Sequence, residues 1–439
     1  MKRLFTLLAA GALASACGSD NNGNVVNVDP NMSESAVSAA FSGAAANSTI
    51  QMAAGTYHFA NTLNLSTQNG VVVKGAGIGQ TILDWAGQTA GADGISQNVP
   101  PGGTVKVQFE GFTIQDTVGN GIKVTGGNGV HFSQVEVKWP TRQTHGGYGI
   151  YPVQSKNVLV ENCKISGASD TGIYVGQSDT IVVRNNEIFE NVAGIEIENS
   201  FNADVTANNS HNNTVGFLVF DLPDLQQVGG HNIRVYGNQF VNNNTANFGD
   251  PSGTVAKVPA GTGGAVMANT KVEVFNNTFT GNTTAGFAVI SCFTGVDPAQ
   301  DGACVTGNPN YNPFPSLIHV HGNTFSGTGT APLMNNQNMS HPSFVLAYLL
   351  STGLPPASGP HLFPDNHVSE VLWDGVVVLG NLQICSNNNT AEHFHNANLH
   401  LLSVDLDNPD LSQVMTFDDA AWDCTPTGFP LPAVPVPTF

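Results

Sequence analysis

Ala168-Ser169-Asp170-Thr171-Gly172-Ile173-Tyr174-Val175-Gly176-Gln177-Ser178, followed by Asn191-Val192-Ala193-Gly194-Ile195-Glu196-Ile197-Glu198-Asn199-Ser200, is the stretch that decides the fold. Its Gly-Ile step recurs through the chain, at Gly121-Ile122, Gly149-Ile150, Gly172-Ile173, Gly194-Ile195 and Gly216-Phe217, with spacings of 28, 23, 22 and 22 residues. Between these steps runs a second series of short alternating segments, Val158-Leu159-Val160-Glu161-Asn162, Ile181-Val182-Val183-Arg184-Asn185, Asp204-Val205-Thr206-Ala207-Asn208, Ile233-Arg234-Val235-Tyr236-Gly237-Asn238 and Val272-Glu273-Val274-Phe275-Asn276. Each closes on asparagine. A repeat this short, with two or three four-residue strands and no helical period, buries its apolar side chains only by stacking on the next copy. The expectation is an all-β solenoid with parallel strands about 4.8 Å apart, aliphatics inward and asparagines satisfying backbone groups at the bends.

Aligning the coils on their Gly-Ile steps turns Ile122, Ile150, Ile173, Ile195 and Phe217 inward, with Val124, Pro152, Val175, Ile197 and Val219. One outward ladder is then Lys123, Tyr151, Tyr174, Glu196, Leu218. Beside it run Gln154, Gln177, Asn199 and Asp221, with Glu198 one place earlier in its coil. Aromatic rings above carboxylates and amides suit a polysaccharide, whose sugars present apolar faces to rings and hydroxyls to polar groups. Stacked rings and amides also stabilise a solenoid face by themselves.

The first three residues, Met1-Lys2-Arg3, precede an apolar stretch from Leu4 to Ala16 and then Cys17, which reads as an export signal too short to span a bilayer. Leu13-Ala14-Ser15-Ala16-Cys17 resembles the lipobox of bacterial lipoproteins. That resemblance implies cleavage after residue 16, lipidation of Cys17 and a polar tether over residues 17–32, hence a lipid-anchored protein of the cell envelope. Removing the signal takes away two basic residues and no acid, so the formal charge of −19 becomes −21. Bulk charge therefore excludes nucleic acid as a partner. Six of the remaining eleven Lys and Arg, namely Lys123, Lys138, Arg142, Lys156, Lys164 and Arg184, fall within one stretch and suggest a local cationic zone. In an oxidising compartment, Cys292 with Cys304 and Cys385 with Cys424 are candidate disulfides, and Cys163, in a strand-like segment, reads as a buried small hydrophobe.

Ala54-Gly55-Thr56-Tyr57 and the segment from Gly70 to Asp84, with the coils themselves, resemble bacterial right-handed parallel β-helix proteins of the pectate-lyase-like type, among them mannuronan epimerases and NosD-type periplasmic proteins. The resemblance covers residues 45–330. It implies a single-stranded right-handed parallel β-helix over residues 33–329, with an amphipathic N-terminal cap at 33–41 and an irregular C-terminal capping region at 330–439. The Asp-Pro-His-Asp motif of mannuronan epimerases is replaced by Tyr151-Pro152-Val153-Gln154.

The activity so implied is that of a lyase or C5-epimerase on an acidic polysaccharide. Such chemistry needs a base at C5 and a cation that neutralises the uronate carboxylate. His145, Tyr151 and Tyr174 are candidate bases, with Arg184 beside them. Arg142 and Lys156, with Gln154, Gln177 and Asn199, are candidate substrate contacts. Asp170, Glu196, Glu198 and Asp221 are candidate Ca²⁺ ligands, their oxygens suiting a hard cation, and the same acids would serve a hydrolase. His393, His395 and His400 near Glu392 make a weaker metal candidate. The alternative is a non-catalytic monomer whose side face binds a glycan or another exported protein.

Overall fold

The computed structural model describes residues 24–100, 102–295, 304, 308–331, 370–375, 382–390, 394–396 and 422–439. Cys17, the export signal and His393 and His400 lie outside these. The described chain is a parallel β-helix whose strands fall into one 20-stranded and one 11-stranded sheet. A representative coil runs Tyr148–Val153 in the 11-stranded sheet, then Lys156–Glu161 and Lys164–Ser166 in the 20-stranded sheet, before Thr171–Gly176 starts the next. Pairing is parallel throughout, with Ile150 registered on Ile122 and Ile173, Ile173 on Ile195, and Ile195 on Phe217. These side chains fill one continuous core. Further along, Gly264 pairs with Phe217 and gives its ring room, since a Cβ there would sit 2.0 Å from the ring edge.

The asparagines are of two kinds. Asn162, Asn185 and Asn276 take left-handed backbone at φ of 53–56°, and Ala207 and Gly237 hold the same place in their coils. The next residue points inward and makes a buried ladder through Asn186, Asn208, Asn238, Asn277, Asn323 and Asn389. Each side-chain oxygen accepts the N–H of the coil before it, and each amide donates onward to the next asparagine or to a strand carbonyl. Cys163 stands at this position in its own coil, and its N–H reaches Asn186 Oδ1 at 2.9 Å. Burial pushes its thiol up to about 12, so it is an inert filler.

At the N-terminal end a helix, Glu34–Ser42, is capped by the Ser33 side chain and buries Val37 and Phe41. Both expected disulfides are formed. From Cys424 the chain turns back along the outer face of the 20-stranded sheet as a strap, where a terminal cap had been expected. Thr427 N–H bonds Gln383, Leu431 N–H bonds Glu273, Val434 N–H bonds Asp204, and Phe439 stacks on His131 with ring centres 4.6 Å apart.

Candidate functional site

The outward ladder forms as the register requires: Lys123 beside Tyr151, Tyr174 beside Glu196, Glu196 beside Leu218. Tyr148, registered on Thr171, adds a third ring. The centroids of Tyr148, Tyr151 and Tyr174 are 4.5–4.8 Å apart, and Lys123 Nζ lies 5.0 Å from the Tyr151 ring. Beneath them Asp170, Glu196 and Glu198 form one acid cluster. Thr171 Oγ1 donates to Glu196 at 2.6 Å and lies 3.2 Å from Asp170, the Tyr174 hydroxyl donates to Glu198, and Tyr148 hydrogen-bonds Asp170. Glu196 and Glu198, two residues apart on one strand, are 4% and 7% exposed.

Two non-repeating segments explain this burial. Loop 221–230 is held by Asn199, whose amide donates to the carbonyls of Leu222 and Gln227, and by Asp221, whose carboxylate accepts from Gly229 and Gly230 N–H. The insertion at 244–261 places Val255 and Val258 against Val192, Val215, Leu218 and Phe220, closing the face beyond Glu196. A sheet face that would otherwise be wet is thereby screened, and the carboxyls of Glu196 and Glu198 are buried in it.

Burial and mutual repulsion set the charge of the acid cluster. Desolvation raises Asp170 to about 6 and Glu198 to about 7, and holds Glu196 well above the ordinary carboxylate range, with the charges of Glu198 and Asp170 adding to it. Near neutral pH the cluster therefore keeps protons, while Asp170, at about 6, gives its proton up before Glu198, at about 7. The phenols move the same way: burial lifts Tyr151 to about 12, and Tyr148 and Tyr174 are held above the ordinary tyrosine value. None is a ready phenolate base.

Several expected residues are not brought to the cluster. Arg142 fastens two turns, through Nε to Asp116 O at 2.9 Å and Nη2 to Trp85 O at 3.1 Å. Arg184 lies on the 20-stranded sheet in a bidentate pair with Glu161, and Lys156 is exposed on that sheet too. His145 bonds Gly167 O at 2.6 Å and packs beside Trp139 and Phe248 in a neighbouring shallow pocket. The basic stretch consequently makes no cationic zone: Lys138 pairs with Glu136 and Lys164 with Glu187, leaving Lys123 as the member of the six on this face.

Gln154 Nε2 donates to Gln226 Oε1 at 3.4 Å, and Gln154, Gln177 and Asn199 all sit at bends in left-handed backbone. As for Ca²⁺, Asp170, Glu196, Glu198 and Asp221 do not bring three donor atoms within 4.8 Å of one another, and each carboxyl is taken by an internal hydrogen bond. This arrangement does not fit a calcium cage, and no step below runs through the ion. Thr171 was not singled out from the sequence as a site residue, although aligning Gly149 with Gly172 places it beside Tyr148.

No curated protein matches the chain. Similar solved structures include the A-module of mannuronan C-5 epimerase AlgE4 from Azotobacter vinelandii, at 16% identity over 68% of this chain and 84% of that one, with a TM-score of 0.43. Others are the DFA-IIIase of Arthrobacter chlorophenolicus A6, at 13% identity over 66% and 75% with a TM-score of 0.45, and the catalytic unit of a GH87 alpha-1,3-glucanase from Streptomyces thermodiastaticus, at 14% over 86% and 55% with a TM-score of 0.47. These figures assign no activity. Residues 99–249 match the family model described as a right handed beta helix region, and with the parallel register seen throughout the described residues, the fold is a right-handed parallel β-helix.

Proposed function

We propose that the protein acts on a glycan seated along the tyrosine-bearing outer face of the 11-stranded sheet, and that it breaks the glycosidic bond by acid–base chemistry from the carboxyls beneath. The observation that carries this reading is the buried cluster of Asp170, Glu196 and Glu198, which retains protons near neutral pH beside three aromatic rings. Glycoside cleavage needs one carboxyl that is still protonated and one that is not. Glu196 fills the first role, donating its proton to the departing glycosidic oxygen. Asp170, more open and the first to ionise, fills the second, as the base that activates water or as the nucleophile at the anomeric carbon. Tyr174 holds Glu198 in place, and the rings of Tyr148 and Tyr151 receive the apolar faces of the sugars.

One observation favours a second reading. Lys123, beside Tyr151 at the rim, is placed to neutralise a uronate carboxylate, which is what elimination or C5-epimerisation on an acidic polysaccharide requires. The formal charge of −19 and the dispersed cations weigh toward a neutral glycan. Export and a lipid anchor at Cys17 complete the proposal, and the mass of the mature N-terminus tests them.

The activity test incubates the chain lacking residues 1–17 with neutral and uronate glycans. New reducing ends are followed alongside ultraviolet absorbance from unsaturated ends and proton NMR of epimerised residues. Reducing ends without unsaturation, lost in Glu196→Gln, establish hydrolysis. Unsaturated or epimerised uronates, lost in Lys123→Ala, establish the second reading. Binding without turnover returns the protein to a non-catalytic role on the envelope.

A further inference from the structure

The opposite side of the solenoid carries a second polar cluster that the glycan site does not use. His319 and His321 are alternate outward residues of strand Ser316–His321, and Glu273 stands beside His319 on strand Thr270–Phe275. We propose that Glu273, His319 and His321 bind one divalent transition-metal ion of the zinc class beneath the C-terminal strap. One donor atom from each of the three lies within 4.8 Å of the others, and among the described residues no other such group occurs. Around a zinc ion with bonds near 2.0–2.1 Å, tetrahedral donors sit roughly 3.3 Å apart. His321 Nε2 and Glu273 Oε1 are already at 3.1 Å, so only His319 has to close in.

The His319 ring is the second observation. It is 5% exposed, its Nε2 lies 3.3 Å from Asn387 Oδ1, and its Nδ1 is buried with no hydrogen-bond partner among the described residues. A buried nitrogen without a partner costs stability unless something takes its lone pair. With Nε2 donating to Asn387, the bare Nδ1 is the arrangement in which metal-bound histidines are found, one nitrogen on the metal and the other held by an oxygen. Imidazole and carboxylate donors together suit zinc, copper or nickel better than calcium. The site is roofed by Phe429, edge-on to His319, and by Leu431, whose N–H bonds the other Glu273 oxygen at 2.9 Å. Entry is from the side of His321, the more open member.

The test strips the chain lacking residues 1–17 with a chelator, desalts it, and titrates it with Zn²⁺ by calorimetry and Co²⁺ by visible absorption. The expected result is one equivalent of either metal, weakened at least about tenfold in His321→Gln and Glu273→Gln. His321→Gln alters a half-exposed side chain, so circular dichroism separates lost ligation from lost fold. A control carrying His393→Gln, His395→Gln and His400→Gln keeps the site. Absence of stoichiometric uptake, uptake that survives both ligand substitutions, or uptake lost in the control overturns the proposal.

Discussion

Asn238→Ala removes one rung of the inner asparagine ladder, and the structure gives its size. In the native chain Asn238 Nδ2 donates to Val205 O and to Asn277 Oδ1, both at 2.9 Å, and Asn238 Oδ1 accepts from Asn208 N at 2.9 Å and Asn208 Nδ2 at 3.0 Å. Asn277 Oδ1 still receives the backbone N–H of residue 238, and Asn208 Nδ2 still reaches Val183 O. Two buried groups lose this partner, the Asn208 N–H and the Val205 carbonyl, and the partly buried Tyr236 carbonyl loses a third bond of 3.1 Å. At roughly 1–3 kcal/mol for each buried group, the loss is about 2–6 kcal/mol. Guanidinium unfolding followed by circular dichroism and tryptophan fluorescence measures it, with Ser326→Ala, an exposed change expected to stay within about 0.5 kcal/mol, as the reference. A loss under about 1 kcal/mol at unchanged denaturant slope would refute the ladder as a principal source of stability.

Other consequences follow from the same geometry. Glu198 and Asp170 bind protons more tightly folded than unfolded, so the stability they contribute is complete below about pH 4 and is lost as pH rises through about 6 to 7. The melting temperature should therefore fall between about pH 5 and about pH 8, and Glu198→Gln should flatten that fall. Asp204 accepts a bidentate pair from Arg234 and the N–H of Val434, so Asp204→Asn should free the strap and raise proteolysis near the C-terminus while leaving the far-ultraviolet spectrum unchanged. Removing the disulfide between Cys385 and Cys424, which closes a separation of 39 residues, should cost about 2–4 kcal/mol and release the same segment. Tyr151→Ala should weaken binding of a recognised glycan about tenfold with little change in fold, measured by calorimetry.

The core was legible because the inward aliphatics repeat: once Ile150 is set above Ile122, every neighbour follows, and the outward ladder of Tyr151, Tyr174 and Glu196 comes with it. The bends were legible only in part. The closing asparagines mix a left-handed position with a buried ladder one residue later, and Cys163 occupies a rung because only its small buried volume is needed there. The cover over the acid cluster depended on loop 221–230 and the insertion at 244–261, which obey no period, so the burial that lifts the carboxyls could not be read from spacing. Arg142 and Arg184 misled for the same reason. Closeness in sequence within a coil does not say which of its sheets a side chain faces, and both are spent on structural partners. The strap, and with it the histidine pair, was hidden because the tail repeats nothing that it covers.

The central claim is that the buried acid cluster keeps protons near neutral pH, and a carboxyl titration tests it most directly. Protein with ¹³C-labelled glutamate side chains, followed by NMR from about pH 4 to about pH 9, should show a glutamate that titrates near 7, missing in Glu198→Gln, and another held well above the ordinary carboxylate range, missing in Glu196→Gln. Titration of every glutamate carboxyl between about 4 and 5 would contradict the account, because the cluster would then hold no acid to give.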